Sequence, residues 1–150
     1  VKKSRFKWLF DLLLAVLFLT LLMSRMFSLS YHESAGIMIG FLFVIHLSLN
    51  WRWIRAVTPL IFSPKTGLKT KATYIIDLLL FCSVYLTIIS GMYIAGMLTP
   101  NVGMNFRHMR LMHSECAYLT MFLILIHVGL HRGLIKNMFE KMVAGLLSPP

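Results

Sequence analysis

The chain has 150 residues, 58% of them hydrophobic, and a mean hydropathy of +0.77, which is too apolar for an ordinary water-soluble domain. Its formal charge of +10 would suggest nucleic acid in a soluble protein. Here the basic residues gather at the ends of apolar runs, which points to a lipid surface and against a nucleic-acid partner.

Four apolar runs each approach the about 20 residues that a spanning helix needs. The first span is expected over 8–28, after a basic segment, with Trp8 as an interfacial anchor and Asp11 about a turn inside. No small-residue cleavage site follows it, so it is expected to remain as a span and not to be removed as a signal peptide. A turn at Ser28-Leu29-Ser30 leads into the second span, 32–54, with Ser30 the expected cap of the helix that carries His32 and Glu33. Asn50-Trp51-Arg52-Trp53 closes this span at an interface, where tryptophan and a snorkelling arginine are at home.

The connection Thr58–Lys71 contains Pro59, Pro64 and Gly67 and reads as a surface loop with a short interfacial turn at Leu60-Ile61-Phe62. The third span, 73–98, repeats the first, with Tyr74 in place of Trp8 and Asp77 in place of Asp11. A longer loop, Thr99–Met112, precedes the fourth span, 112–135. The segment 136–147 reads as an amphipathic tail that either continues the helix or lies on the membrane surface. The expected fold is all-α: a single domain, 1–150, forming a transmembrane four-helix bundle.

Lys2, Lys3, Arg5 and Lys7 precede the first span; Arg52, Arg55, Lys65, Lys69 and Lys71 join the second and third; Arg132, Lys136 and Lys141 follow the fourth. Only Arg25, Arg107 and Arg110 fall on the other side. The positive-inside rule then places both termini in the cytoplasm, with the protein a multi-pass component of the cell membrane.

Two internal repeats organise the chain. An offset of 81 lays His32 on His113, Phe41 on Phe122, Ile45 on Ile126, His46 on His127 and Leu49 on Leu130. An offset of 66 lays Asp11-Leu12-Leu13-Leu14 on Asp77-Leu78-Leu79-Leu80, Ser24 on Ser90 and Met26 on Met92. The bundle is therefore expected to consist of two duplicated helical hairpins, related by an axis along the membrane normal.

Each half carries two histidines fourteen residues apart, about four helical turns, so both face one way about 21 Å apart along the axis. A lone membrane histidine is more often a hydrogen-bonding link between helices. Four in a duplicated register favour a ligand set, since ionisable groups inside a membrane are costly and usually functional. The symmetry pairs His32 with His113 near the outer face and His46 with His127 near the inner one. Two neutral imidazoles facing each other across a bundle core can ligate a six-coordinate haem iron, so two b-type haems are expected. His131, one turn beyond His127, is the alternative ligand; its counterpart in the first half is Asn50. With no Cys-x-x-Cys-His, and with Cys82 and Cys116 in separate spans, neither covalent haem attachment nor a disulfide is expected.

Around the four rings, Gly36 and Gly40, with Ala117 matching Gly36, leave room for a flat macrocycle; close helix packing explains them equally well. Asp11 and Asp77 lie near the depth of the inner histidines, where a carboxylate can orient a ligating imidazole or stabilise a helix N-terminus. Ser24 and Ser90 are weaker orienting candidates at the outer level. Arg25 outside, and Arg52 and Arg132 inside, are candidate partners for haem propionates.

At His32-Glu33-Ser34-Ala35-Gly36 and His46-Leu47-Ser48-Leu49-Asn50-Trp51-Arg52 the chain resembles the flavinylation-associated cytochrome family of four-helix membrane proteins. More distantly, it is similar to the haem b subunits of formate dehydrogenases and hydrogenases. The resemblance implies haem binding and passage of electrons to a flavin-carrying protein outside the membrane. The expected function is an electron conduit, the membrane subunit of an oxidoreductase complex. Electrons enter at the His46/His127 level from a cytoplasmic or quinol donor and leave at the His32/His113 level to a partner docked on the Thr99–Met112 loop. With the inside negative, that direction is favoured by about 2.3 kcal/mol per 100 mV. The rival readings are a transition-metal or proton transporter built on a His/Asp relay, and a structural anchor whose basic loops hold a larger complex.

Overall fold

The computed structural model describes residues 2–23, 28–98 and 105–147, the side chains at 2–5, 8, 134, 138, 142 and 145–147 excepted. Among these residues the chain is helical with no strand. It forms α1 (Lys2–Leu22), α2 (Leu29–Val57), α3 (Leu68–Ile94) and α4 (Phe106–Leu147), with a 3₁₀ turn at Thr58–Leu60. Three segments are long and apolar enough to cross a membrane: Leu29–Leu60, Leu68–Ile94 and Phe106–Gly133. The apolar part of α1 is shorter, Leu9–Leu22, about 21 Å at 1.5 Å per residue. The rest of the expected first span runs into 24–27, outside the described residues, as does the side chain of Trp8.

Local chemistry sets the helix ends. The cap of α2 is Ser28, not Ser30: Ser28 is extended (φ −69°, ψ 158°) and its Oγ accepts from the Tyr31 N–H at 3.2 Å, whereas Ser30 lies inside the first turn. At the other end Pro59 lacks the N–H that would continue the helix. The Thr58 hydroxyl donates to the Ile54 carbonyl at 2.7 Å and the chain tightens into the 3₁₀ turn at Thr58, within the stretch expected to be loop. α3 stops at Ile94, short of the expected 98, because Gly96 adopts φ +73°, open to a residue without Cβ. The Met97 N–H then bonds the Met92 carbonyl at 3.0 Å and the Gly96 N–H the Tyr93 carbonyl at 3.1 Å, a Schellman stop. No comparable stop follows Ile135, so the expected tail continues α4 as one helix of 42 residues.

The side-chain contacts fix the helix directions. α1 runs antiparallel to α2, with Thr20 on Tyr31 (2.8 Å) and Asp11 on His46. α2 runs antiparallel to α3, with Phe43 stacked on Phe81 (6.0 Å) and Trp53 near Tyr74 (6.4 Å). α3 runs antiparallel to α4, with Ser83 on Thr120 and Asp77 on His127. α1 also touches α4. It follows that α2 and α4 run parallel.

The most extensive packing joins α3 to α4 and relies on small polar groups: Ser83, Ser90 and Thr120 are buried and hydroxyl-bonded. That is how helices associate where lipid removes the hydrophobic drive between them. Among the described residues only Ala35, Ile39, Val57, Met109 and Leu123 are buried and apolar, while Phe41 and Leu125 are 70% and 66% exposed. An apolar exterior of this extent suits a hydrocarbon solvent.

Candidate functional site

The two halves of the chain build the same pair at the same level. On α2, the Nδ1–H of His46 donates to Asp11 Oδ1 of α1 at 2.8 Å; on α4, the Nδ1–H of His127 donates to Asp77 Oδ1 of α3 at 2.7 Å. A carboxylate accepts and never donates when ionised, so each bond fixes its imidazole in the Nδ1–H tautomer and leaves the lone pair on Nε2. Each acid thus accepts from a histidine ring of the neighbouring helix.

At the other level the acceptor is backbone. The Nδ1–H of His113 donates to the Thr87 carbonyl at 2.9 Å, with Ser90 Oγ 3.3 Å from the same nitrogen. Ser90 itself donates to the Leu86 carbonyl at 2.6 Å, so towards the histidine it is an acceptor. Gly91 makes this possible. The carbonyl of Thr87 lies one turn before Gly91, and a Cβ there would stand 3.0 Å from His113 Cε1 and 3.3 Å from its Nδ1. Sequence reasoning misses both Thr87 and Gly91; the small-residue step Ser90-Gly91 facing a histidine helix is the available signal.

His32 and His113 meet across the parallel pair α2 and α4, ring centroids 6.0 Å apart and planes at 78°. Since both helices space their histidines by fourteen residues, His46 and His127 share a second level about 21 Å further along. His32 Nδ1 is buried with no hydrogen-bond partner among the described residues. The repeat would supply Ser24 there, and Ser24 and Arg25 lie outside the described residues.

No protein-family model, no curated protein and no solved structure matches the chain.

Four imidazoles at two levels are the donor set that the described residues offer. Three of the four imidazoles have Nδ1–H tied to an acceptor, the arrangement in which an outer acceptor orients a metal-binding histidine; the Nε2 of one of them, His46, accepts a long bond from the Asn50 amide at 3.5 Å. The fourth, His32, has a buried ring nitrogen in want of a partner. The α2 surface at Gly36 is open, and a Cβ placed there would meet nothing within 4 Å, whereas Gly40 faces the Ile88 side chain at 3.7 Å and serves helix packing.

The remaining candidates are not drawn into this arrangement. Arg52 and Arg132 are exposed and make no ion pair with a described acid. His108, which falls in the Thr99–Met112 stretch expected to be loop and is not among the candidates, is exposed in the first turn of α4. His131 stacks obliquely on His127, centroids 4.6 Å apart, and its Nε2 lies 3.9 Å from Asp77 Oδ2. Asn50, its counterpart, donates to the His46 carbonyl at 3.0 Å. Lys7 donates to the Leu49 carbonyl and, at 3.4 Å, to Asn50 Oδ1, fastening α1 to the end of α2.

Proposed function

We propose that the chain is a membrane dihaem cytochrome b, the electron-transfer subunit of a redox complex. In this reading α1 to α4 form a four-helix transmembrane bundle of two duplicated hairpins, with both termini on the cytoplasmic side. The observation that carries it is the doubled Asp–His pair, Asp11 with His46 and Asp77 with His127. Two acids and two histidines are costly inside hydrocarbon, and each acid is spent on orienting one ring.

A porphyrin iron bound at each level supplies a one-electron carrier. The protein's own contribution is fourfold. His32 with His113, and His46 with His127, present paired imidazoles from parallel helices. Asp11 and Asp77 hold the inner rings in one tautomer, each with a charged acceptor. The Thr87 carbonyl does the same for His113 with a neutral acceptor, so the inner level is the more electron-rich of the two. The apolar exterior excludes water from both.

The basic residues at one set of helix ends support the cytoplasmic placement of the termini. The likeness of the two histidine motifs to the flavinylation-associated cytochromes supports an extracytoplasmic flavoprotein as acceptor, and a cytoplasmic or quinol donor completes the path.

Single His→Ala variants test the pairing. Changing His32 or His113 should remove one and the same haem, and changing His46 or His127 the other, as read by haem content and low-temperature difference spectra. Four variants with unaltered haem content would refute the assignment.

A further inference from the structure

Beside the inner histidines the second half differs from the first in its chemistry. Where α2 has Asn50, α4 has His131, one turn after His127 and on the same face. Asp77 reaches both histidines through different oxygens, Oδ1 to His127 Nδ1 at 2.7 Å and Oδ2 to His131 Nε2 at 3.9 Å. Each of the three offers a ligand atom, and these atoms all lie within 4.8 Å of one another.

We infer that Asp77, His127 and His131 form a binding site for one divalent first-row transition cation, with Zn²⁺ the fitting probe, as an alternative to porphyrin iron at the inner level. The inference goes beyond the dihaem reading and uses it only for the competition described below.

Two imidazoles and a carboxylate are the donor set that Zn²⁺, Co²⁺ and Ni²⁺ accept, leaving further positions open to water. Donors about 2.1 Å from a tetrahedral ion stand about 3.4 Å from one another. The wider separations, 3.9 Å and up to 4.8 Å, therefore need to close by about 0.5–1.4 Å and the 2.7 Å pair to open by about 0.7 Å, within reach of small rotamer changes on α4. Asp77 supplies the negative charge. A crevice of about 350 Å³, lined by Trp53, Lys69, Thr73 and Asn137, opens on His131, one of the three donors.

The first half cannot match this. Asn50 is neutral, and its amide is engaged by the carbonyl of its own helix.

The two occupants exclude each other through His127. A cation takes the place of the proton between Nδ1 and Asp77, so the neutral ring must carry its proton on Nε2, the atom a porphyrin iron requires. Zinc bound here would keep the inner haem out.

The test uses the full chain purified in detergent from haem-limited cells, with Zn²⁺ measured by competition with a chromogenic chelator. The wild type should bind one Zn²⁺ per chain and the His131→Asn variant none; equal binding by the two, or none by the wild type, overturns the inference. Should the variant fail to fold, X-ray absorption of the zinc-loaded wild type decides instead, two imidazoles with one carboxylate being expected and any other count of imidazoles overturning it. The zinc-loaded chain should then take up one haem where the zinc-free chain takes up two; uptake of two by both overturns the exclusion. The zinc count needs no haem spectrum, so its failure is distinct from failure of the dihaem reading, which shows as a colourless preparation from haem-replete cells.

Discussion

Replacing Asp77 with asparagine isolates the effect of the carboxylate charge on the inner site. Asparagine keeps an oxygen that accepts from the His127 Nδ1–H at a similar reach, so the ring stays in place while the charge is lost. The bond in question is charge-assisted and short, 2.7 Å, between side chains that are mostly covered by protein, where a charge acts strongly. Loss of such an outer partner costs about 10- to 100-fold in metal affinity, or about 1.4–2.7 kcal/mol. A negative charge favours the oxidised, more positive iron, so the loss falls mainly on the oxidised form. At about 59 mV per tenfold for one electron, the inner midpoint potential should rise by about 60–120 mV. Potentiometric titration of the purified chain reads this directly, and the outer haem, about 21 Å away along the helices, serves as the internal control. An unmoved inner potential, or both potentials moving together, would refute the reasoning.

Two further substitutions follow from the same geometry. Asp11→Asn should raise the inner potential in the same direction as Asp77→Asn, since Asp11 accepts from the second inner ring, His46, at 2.8 Å; an unmoved potential in the same titration would count against a role for this carboxylate. Gly91→Ala places a methyl 3.0 Å from His113 Cε1, and overpacking of this kind costs about 1–3 kcal/mol. Haem occupancy at the outer level should fall while the inner level keeps its own, as read from haem content and line shape.

Much of this site can be read in the chain because repetition doubles the signal. The spacing of His32 to His46 recurs in His113 to His127, and Asp11 recurs as Asp77, so pairs that fold together are marked before any fold is known. What cannot be read is the acceptor for His113. A carbonyl carries no residue identity, and access to Thr87 depends on Gly91, whose counterpart at the offset of 66 is Arg25. The small residues that stand out in the sequence sit elsewhere: Gly40 packs against Ile88, while Gly36 faces open space.

Helix ends are legible where a single residue decides them and not where two compete. Ser28 and Ser30 are both plausible caps by type, and the extended backbone at Ser28 settles the choice. Gly96 has the composition of a stop but lies within an apolar stretch that hydropathy alone carries on to Leu98. The continuity of α4 past Ile135 reflects the absence of any Gly or Pro break between Ile135 and Ala144, a weak signal beside the change in polarity that suggests a separate tail.

The proposed electron transfer rests on four imidazoles that would hold two irons. The direct measurement is a reduced-minus-oxidised visible spectrum of the full chain purified from haem-replete cells, with haem quantified per chain. The account predicts two b-type haems per chain with the spectrum of bis-histidine ligation; a colourless protein, or one with less than a single haem despite ample supply, would contradict it.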